Sequence, residues 1–192
     1  MILETLNQPA VMPTFHPAIL GLLAVFAILL SYCAWTDYRK GVLLPNWKYW
    51  LLPALVSVSV LIARTSFPET FGGITLPDTC IMLICIVMYY ITAYQGIMGG
   101  ADFWGCSFCT IILCAALGWP AFLIWVFISL IFIPFVIRTT ARVKWCYKEH
   151  GKCSWDAWKK SNKGVKKSYR LLPAILLGYV GAILVYVGAW II

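Results

Sequence analysis

Six long apolar stretches, separated by short polar or glycine-rich segments, make up most of the sequence. Each one has, or approaches, the length of about 20 residues that an α-helix needs to cross a lipid bilayer. The sequence therefore predicts an all-α polytopic membrane bundle of about six transmembrane helices, which forms a single domain over residues 1–192. The predicted spans are 17–35, 47–63, 79–94, 103–117, 120–137 and 171–192.

The residues between these stretches indicate that the stretches form separate helices. A glycine-rich break at 95–101 divides the third and fourth spans, and Gly118-Trp119-Pro120 predicts a tight turn between the fourth and fifth. The composition agrees, because 62% of the residues are hydrophobic and only 11% are charged. A soluble domain carries about 25% charged residues. These values exclude a disordered chain and argue against a secreted disulfide scaffold. Most of the eight cysteines fall in or beside apolar stretches and are interpreted as buried thiols, so no disulfide is predicted.

The distribution of the formal charge of +8 predicts the orientation. Residues 138–170 form a predicted loop with eleven Lys and Arg, which the positive-inside rule places in the cytoplasm. Alternation of the spans then puts all Lys and Arg except Arg64 on the cytoplasmic side. We therefore expect a multi-pass protein of the cell membrane with both termini outside.

The basic loop also has an aromatic pattern. Trp155, Trp158, Val165 and Tyr169 recur at near-helical spacing among lysines, and Ser154 is a candidate amino cap. This pattern predicts an amphipathic helix that lies on the anionic lipid of the cytoplasmic leaflet. The alternative is a solvated charged loop that only fixes topology. Nucleic acid is not expected as a partner.

Two aspartates lie beside predicted spans. Asp37 follows the first span and Asp102 begins the fourth, so alternation puts both at the cytoplasmic boundary. An ionisable residue at a membrane span is costly to desolvate and is therefore a candidate functional residue. The structural alternatives are that Asp37 is a counter-ion for Arg39 or Lys40, and that Asp102 caps the fourth helix.

Two carboxyl groups at one depth can hydrolyse a peptide bond through a shared water. One carboxylate takes a proton from the water, while the other, protonated, donates a proton to the scissile carbonyl. Two neighbouring carboxyls do not both ionise easily, so they act as a coupled pair. Glycines next to Asp102 would let a substrate backbone approach closely.

The residues around the aspartates resemble the signatures of the type IV prepilin peptidase and archaeal preflagellin peptidase family of membrane aspartyl proteases. The first signature is an Asp followed by a hydrophobic-Pro-Asn element, which Asp37 and residues 44–46 match. The second is Gly, any residue, a small or hydrophobic residue and Asp, which Gly99, Ala101 and Asp102 match. Ala101 directs the resemblance towards the archaeal branch, because bacterial members more usually have glycine there.

The resemblance implies cleavage of a class III signal peptide from pilin- or archaellin-like precursors, with Asp37 and Asp102 as the catalytic dyad. It implies no cofactor. Bacterial members that also methylate the new amino terminus carry a cysteine-containing amino-terminal region with no counterpart here, so methylation is not predicted. The residues expected to bind substrate or shape the site are Gly99, Gly100, Ala101, Pro45 and Asn46.

Two other classes of function remain open at this point. A small proton-coupled transporter could use the same carboxylates, although transporters more often keep a carboxylate near the midplane. A non-catalytic membrane component of a pilus or secretion assembly would leave both aspartates inert. Isosteric Asp→Asn changes separate these classes from a peptidase.

The remaining motifs are interpreted as structural features of the bundle. Cys106 and Cys109 have metal-like spacing but lie within a span, and Cys146, His150 and Cys153 lack a fourth ligand and are surrounded by cations. No metal site is predicted. Small residues every four positions at 174, 178 and 182 indicate close helix packing, either within the bundle or between copies of the chain. The oligomeric state stays open.

Overall fold

A computed structural model describes residues 16–40, 47–96, 98–164 and 171–191. Within these ranges the regular secondary structure is helical, and no strand occurs. The helices are α1 (Pro17–Lys40), α2 (Trp47–Ser66), α3 (Pro68–Phe71), α4 (Leu76–Tyr94), α5 (Gly100–Leu117), α6 (Trp119–Val126), a π-helical segment (Phe127–Phe132), α7 (Ile133–His150), α8 (Trp155–Gly164) and α9 (Leu171–Ile191).

In the described part of the chain, six helical stretches are long and apolar enough to cross a membrane. The prediction of an all-α polytopic bundle is confirmed. The turn expected at Gly118 is also present, because Gly118 has φ +85° and ends α5. At that φ an L side chain would be strained, whereas glycine has no Cβ to clash.

The bundle is built around α5. Two thirds of its span (67%) is buried, against 17–33% for the other spans. It packs against α2, α4, α6 and α9, and it also contacts α1. Cys106, Cys109 and Cys114 are buried along it, as expected for thiols that act as small apolar side chains. Helix α5 is therefore surrounded by neighbouring helices along most of its length.

The prediction of a loop from residue 138 is wrong for its first part. The fifth span continues without interruption through the π-helical segment and α7 to His150. The sequence contains no glycine or proline between Pro134 and Gly151, so nothing terminates the helix where the residues become polar. Gly151, with φ +67° and ψ −10°, ends α7 in a left-handed conformation.

The chain then returns as α8, which packs on α7. The predicted cap is present, since the backbone N–H of Ala157 donates to the Ser154 hydroxyl at 3.3 Å. Ala157 and Ser161 are buried in this hairpin, while Trp155 is exposed. One face of α8 is therefore covered by protein, which limits the face that can meet lipid. Val165 and Tyr169, which extended the predicted amphipathic stripe, lie outside the described residues.

The small residues of α9 pack inside the bundle. Ala174 and Ala182 are buried, and a Cβ at Gly178 would lie 3.0 Å from the backbone nitrogen of Ser129. Ser129 itself is buried in the π-helical segment. Of the two interpretations of this pattern, close packing within one chain explains these contacts.

Candidate active site

Asp37 lies in the last turn of α1. The helix continues past it to Lys40, and the Asp37 side chain is half-buried. One turn earlier, Cys33 is buried and its thiol donates to the backbone carbonyl of Tyr49 in α2 at 3.7 Å. Arg39, a predicted partner of Asp37, places its guanidinium 4.6 Å from the ring centroid of Trp35. The end of α1 is thus fixed against the start of α2.

Asp102 occupies the third helical position of α5. The helix starts at Gly100, and Gly99 is its cap residue. The Asp102 carboxyl accepts a hydrogen bond from the backbone N–H of Gly99, which is one half of a capping box. Asp102 therefore does help to cap the helix, but from inside its first turn and not from the cap position. Its carboxyl is held in place by the chain's own backbone.

The structure places these two carboxyl groups within electrostatic range of each other. The charge of Asp37 acts on the carboxyl of Asp102, although the residues belong to different helices and are far apart in the sequence. This arrangement arises because α1 ends and α5 begins at the same end of the bundle. Both helices pack there on the start of α2, where Cys33 of α1 bonds to Tyr49 and Gly105 of α5 lies beside Trp50. We call this the aspartate end, and the end that holds the Gly118 turn the opposite end.

An apolar layer closes the bundle one helical turn below the aspartates. Trp50 of α2 is 3% exposed and Leu172 of α9 is fully buried. A Cβ at Gly105 would lie 2.8 Å from Leu172 Cδ1 and 3.6 Å from Trp50 Cη2, so α5 needs a glycine here for these side chains to close over it. The half-buried carboxyls therefore lie where the closed core meets the aspartate end.

The other predicted site residues are placed only in part. Gly99, Gly100 and Ala101 lead into α5, and a Cβ at Gly99 would lie 3.3 Å from Oδ2 of Asp102. The absence of a side chain at Gly99 thus leaves room for the Asp102 carboxyl. This contact explains the glycine without the close approach of a substrate backbone that the sequence suggested. Pro45 and Asn46 lie outside the described residues.

A third acid lies at the opposite end, and it is more deeply buried than Asp37 or Asp102. Asp78 is 4% exposed, and its carboxyl accepts hydrogen bonds from the Trp119 backbone N–H at 2.6 Å and from the backbone N–H and hydroxyl of Thr75. The expectation that only Asp37 and Asp102 adjoin the spans is therefore wrong. Thr75-x-x-Asp78 is a capping-box pattern that could have indicated it.

Arg64 completes this opposite end. Its guanidinium donates to the carbonyls of Ala116 at 2.8 Å and Gly73 at 3.0 Å, and it interacts with the charge of Asp78. These contacts join α2, α4 and the turn after α5. Every Asp78 partner named above belongs to the fold, so this acid has a structural role. A groove of about 590 Å³ lies between α2 and α4. Arg64 is one of the residues that line it, whereas Asp37 and Asp102 do not.

The site needs no metal for the chemistry that its carboxyls can perform. Among the residues that the structure describes, no group of three or more His, Cys, Asp or Glu side chains is arranged to hold a metal ion. His150, one of three residues weighed as a zinc ligand, packs edge-on against Trp145 with ring centroids 5.4 Å apart.

Comparison with known proteins adds no family to this description. No family model, curated protein or solved structure matches the chain. The functional interpretation therefore depends on the residues and geometry of the aspartate end.

Proposed function

We propose that this protein is a membrane aspartyl endopeptidase that removes the basic leader, a class III signal peptide, from pilin- or archaellin-like precursors. The observation that carries the proposal is the interaction of two carboxyls, Asp37 and Asp102, held on different helices at one end of an apolar bundle. Two carboxyl groups within electrostatic range of each other oppose each other's ionisation, and a catalytic role would explain why the fold keeps both there.

The proposed chemistry is the addition of one water to one peptide bond. The ionised carboxyl of the pair takes a proton from the water as its oxygen attacks the scissile carbonyl carbon. The protonated carboxyl donates its proton to the carbonyl oxygen. As the tetrahedral intermediate collapses and the C–N bond breaks, the carboxyl that took the water's proton gives it to the leaving nitrogen. The other carboxyl takes a proton from a hydroxyl of the intermediate, which restores the starting state of the dyad. The two aspartates exchange roles during the cycle, so neither works alone.

The location of the pair suggests how a precursor reaches it. With the basic α7–α8 hairpin in the cytoplasm, the aspartates lie at the cytoplasmic boundary of the bilayer. A precursor whose apolar helix is already in the membrane would approach laterally and present the peptide bond before that helix at this depth. Long-range attraction does not recruit a basic leader to this cationic face, so recognition is local.

A proton-coupled transporter is the main competing function. Both aspartates lie at one end of their spans, with the buried Trp50 layer between them and the middle of the bundle. A proton pathway needs access from both sides of the membrane, which this layer opposes. The competing function is nevertheless an outcome of the experiment below.

The test incubates the purified wild-type protein in detergent with a panel of class III signal precursors and measures the mass of the products. Asp37→Asn and Asp102→Asn are compared with Asp156→Asn, a matched change at an exposed acid on α8. We expect wild type and Asp156→Asn to release the leader and both dyad variants to lose turnover. Absence of cleavage by folded wild type would contradict the proposal and direct attention to ion flux in liposomes.

A further inference from the structure

The groove between α2 and α4 near the opposite end of the bundle opens on the surface that faces lipid. Each of these helices packs along α5, and Ile111 of α5 lines the groove between them. The wall on α4 includes Leu83, whose side chain is 62% exposed. The volume of about 590 Å³ is within the range of roughly 300–1,000 Å³ that is usual for ligand sites.

Most of the groove is apolar and runs along the helices. Thr79 and Ile86 are the first and last α4 residues that line it, and they lie about 10 Å apart along a helix axis at ~1.5 Å per residue. The groove begins beside Gly73 and Ile74 in the connection before α4 and continues into the apolar part of the spans. An elongated apolar groove suits a fatty acyl chain, which has no polar group to satisfy.

A single cation lies at the connection end of this groove. Arg64 is the only Lys or Arg between Lys48 and Arg138, and its side chain lines the groove. Its guanidinium is fixed by two hydrogen bonds, from Nη1 to the Ala116 carbonyl and from Nη2 to the Gly73 carbonyl. The bond to Gly73 is exposed and Gly73 also lines the groove, so a ligand in the groove reaches the Nη2 side of the guanidinium.

The protein satisfies only part of this cation. A guanidinium carries more N–H donors than the two bonds of Arg64 use, and its Nε is enclosed with no acceptor among the described residues. The two acids near this end, Glu69 and Asp78, do not line the groove. The Asp78 carboxyl already accepts from Thr75 and Trp119. An anion in the groove therefore meets a cation with donors to spare and no acid in the wall.

We propose that this groove binds an anionic phospholipid, with one acyl chain along the apolar walls and the phosphate at the Arg64 guanidinium. Arginine forms charge-assisted and often bidentate hydrogen bonds with phosphate. The other polar side chains that line the groove, Thr65 and Thr79, donate their hydroxyls to backbone carbonyls one turn earlier. Arg64 is therefore the group that selects the head group.

Net charge decides which phospholipid this site prefers. A zwitterionic lipid also carries a phosphate, but its own ammonium compensates that charge and is repelled by Arg64. A bound anionic lipid would bridge α2 and α4, which both pack on α5. The site is independent of the proposed peptidase activity, since neither Asp37 nor Asp102 lines the groove.

The test uses the full-length protein in detergent and phosphatidylglycerol that carries a diazirine on one acyl chain. After irradiation, mass spectrometry maps the labelled residues, which we expect within 61–65 of α2 and 79–86 of α4. Unlabelled phosphatidylglycerol should compete at an about tenfold lower concentration than phosphatidylcholine, which is the effect of one charge-assisted hydrogen bond. Inorganic phosphate should not compete, because it has no chain to occupy the groove. Lipid on the basic surface of α8 labels other peptides and is not counted.

Two neighbouring residues of α4 provide a matched pair of variants. Leu83 and Ile84 are both 62% exposed, but only Leu83 lines the groove. Leu83→Trp should fill the groove and remove most of the labelling of residues 61–65, whereas Ile84→Trp should leave it unchanged. Arg64→Gln should abolish the preference for phosphatidylglycerol over phosphatidylcholine.

Four outcomes would overturn the proposal. Equal competition by the two lipids in wild type would indicate an unselective lipid layer, and competition by inorganic phosphate would identify a free anion as the ligand. Equal labelling of Leu83→Trp and Ile84→Trp would place the acyl chain elsewhere, and a preference retained in Arg64→Gln would exclude the head-group contact. Thermal unfolding checks that Arg64→Gln is folded, and the two tryptophan variants leave the bonds of Arg64 in place.

Discussion

A Cβ at Gly99 would lie 3.3 Å from Oδ2 of Asp102, the carboxyl that accepts a hydrogen bond from the backbone N–H of the same glycine. Any side chain at position 99 therefore presses on the group that we propose as half of the catalytic dyad. The backbone bond and the absent side chain together fix the direction in which this carboxyl points.

Gly99→Val should for this reason slow precursor cleavage by about 10- to 100-fold, since a displacement of ~1 Å at a reacting group has an effect of this size. Gly99→Ala should have a smaller effect in the same direction. The measurement is the single-turnover cleavage rate. The control is Gly21→Ala, because nothing lies within 4 Å of a Cβ at Gly21. Equal rates for Gly99→Val and wild type would show that the carboxyl does not need this space.

Asp78 should behave in the opposite way to the dyad. Asp78→Asn weakens its bonds to the Trp119 N–H and to Thr75, and hydrogen bonds to a charged group contribute about 1.5–3 kcal/mol each. We expect a lower thermal unfolding temperature with unchanged cleavage per folded molecule. Glu69→Gln, which neutralises an exposed acid near the same end, should change neither quantity. An Asp78→Asn protein that is stable but inactive would move the proposed active site to the opposite end.

Gly178 provides a test of the packing between α9 and the π-helical segment. Gly178→Ala places a methyl group against the Ser129 backbone and should destabilise the protein by about 1–3 kcal/mol, the usual cost of overpacking. Gly188→Ala in the same helix has open space around its Cβ and should be neutral or slightly stabilising. Thermal unfolding in detergent compares the two. A loss of dimers with unchanged monomer stability would instead indicate packing between chains.

The exposed lysines of α8 test the proposed contact with anionic lipid. Lys159 and Lys160 are exposed, and Lys159 lies over the ring of the exposed Trp155. Replacing both lysines by glutamine should reduce the protection of α8 from hydrogen exchange in anionic nanodiscs. The same change should have little effect in zwitterionic nanodiscs, where the electrostatic attraction is absent. Cleavage of a detergent-solubilised precursor should be unchanged, and a large loss there would assign these lysines to substrate binding.

Much of the fold follows from hydropathy, because a span is identified by its own side chains. The start of α5 in the Gly99–Asp102 segment can be predicted in this way, because glycines there precede an apolar run. The continuation of α7 to His150 is different. The apolar pattern of the sequence ends at residue 137, where polar residues begin, whereas the helix itself continues until Gly151 ends it.

Contacts between distant residues were beyond prediction for another reason. The bonds from Arg142 to Ser161 and from Asp78 to Trp119 depend on how helices return and cross, which no local pattern encodes. The location of Asp37 and Asp102 at one end of the bundle could be predicted because alternation of the spans fixes which helix ends share a side. The topology predicted from the sequence therefore identified the candidate pair, whereas the residues that surround the pair became known only from the structure.

The most direct test of the central claim is the single-turnover rate at which one precursor is cleaved by wild type, Asp37→Asn, Asp102→Asn and the double variant. Residues that act as a unit show non-additive losses. We predict that each single variant loses at least about 1,000-fold and that the double variant is no slower than either. A single variant that keeps most of the wild-type rate, or losses that multiply in the double variant, would contradict a dyad formed by Asp37 and Asp102.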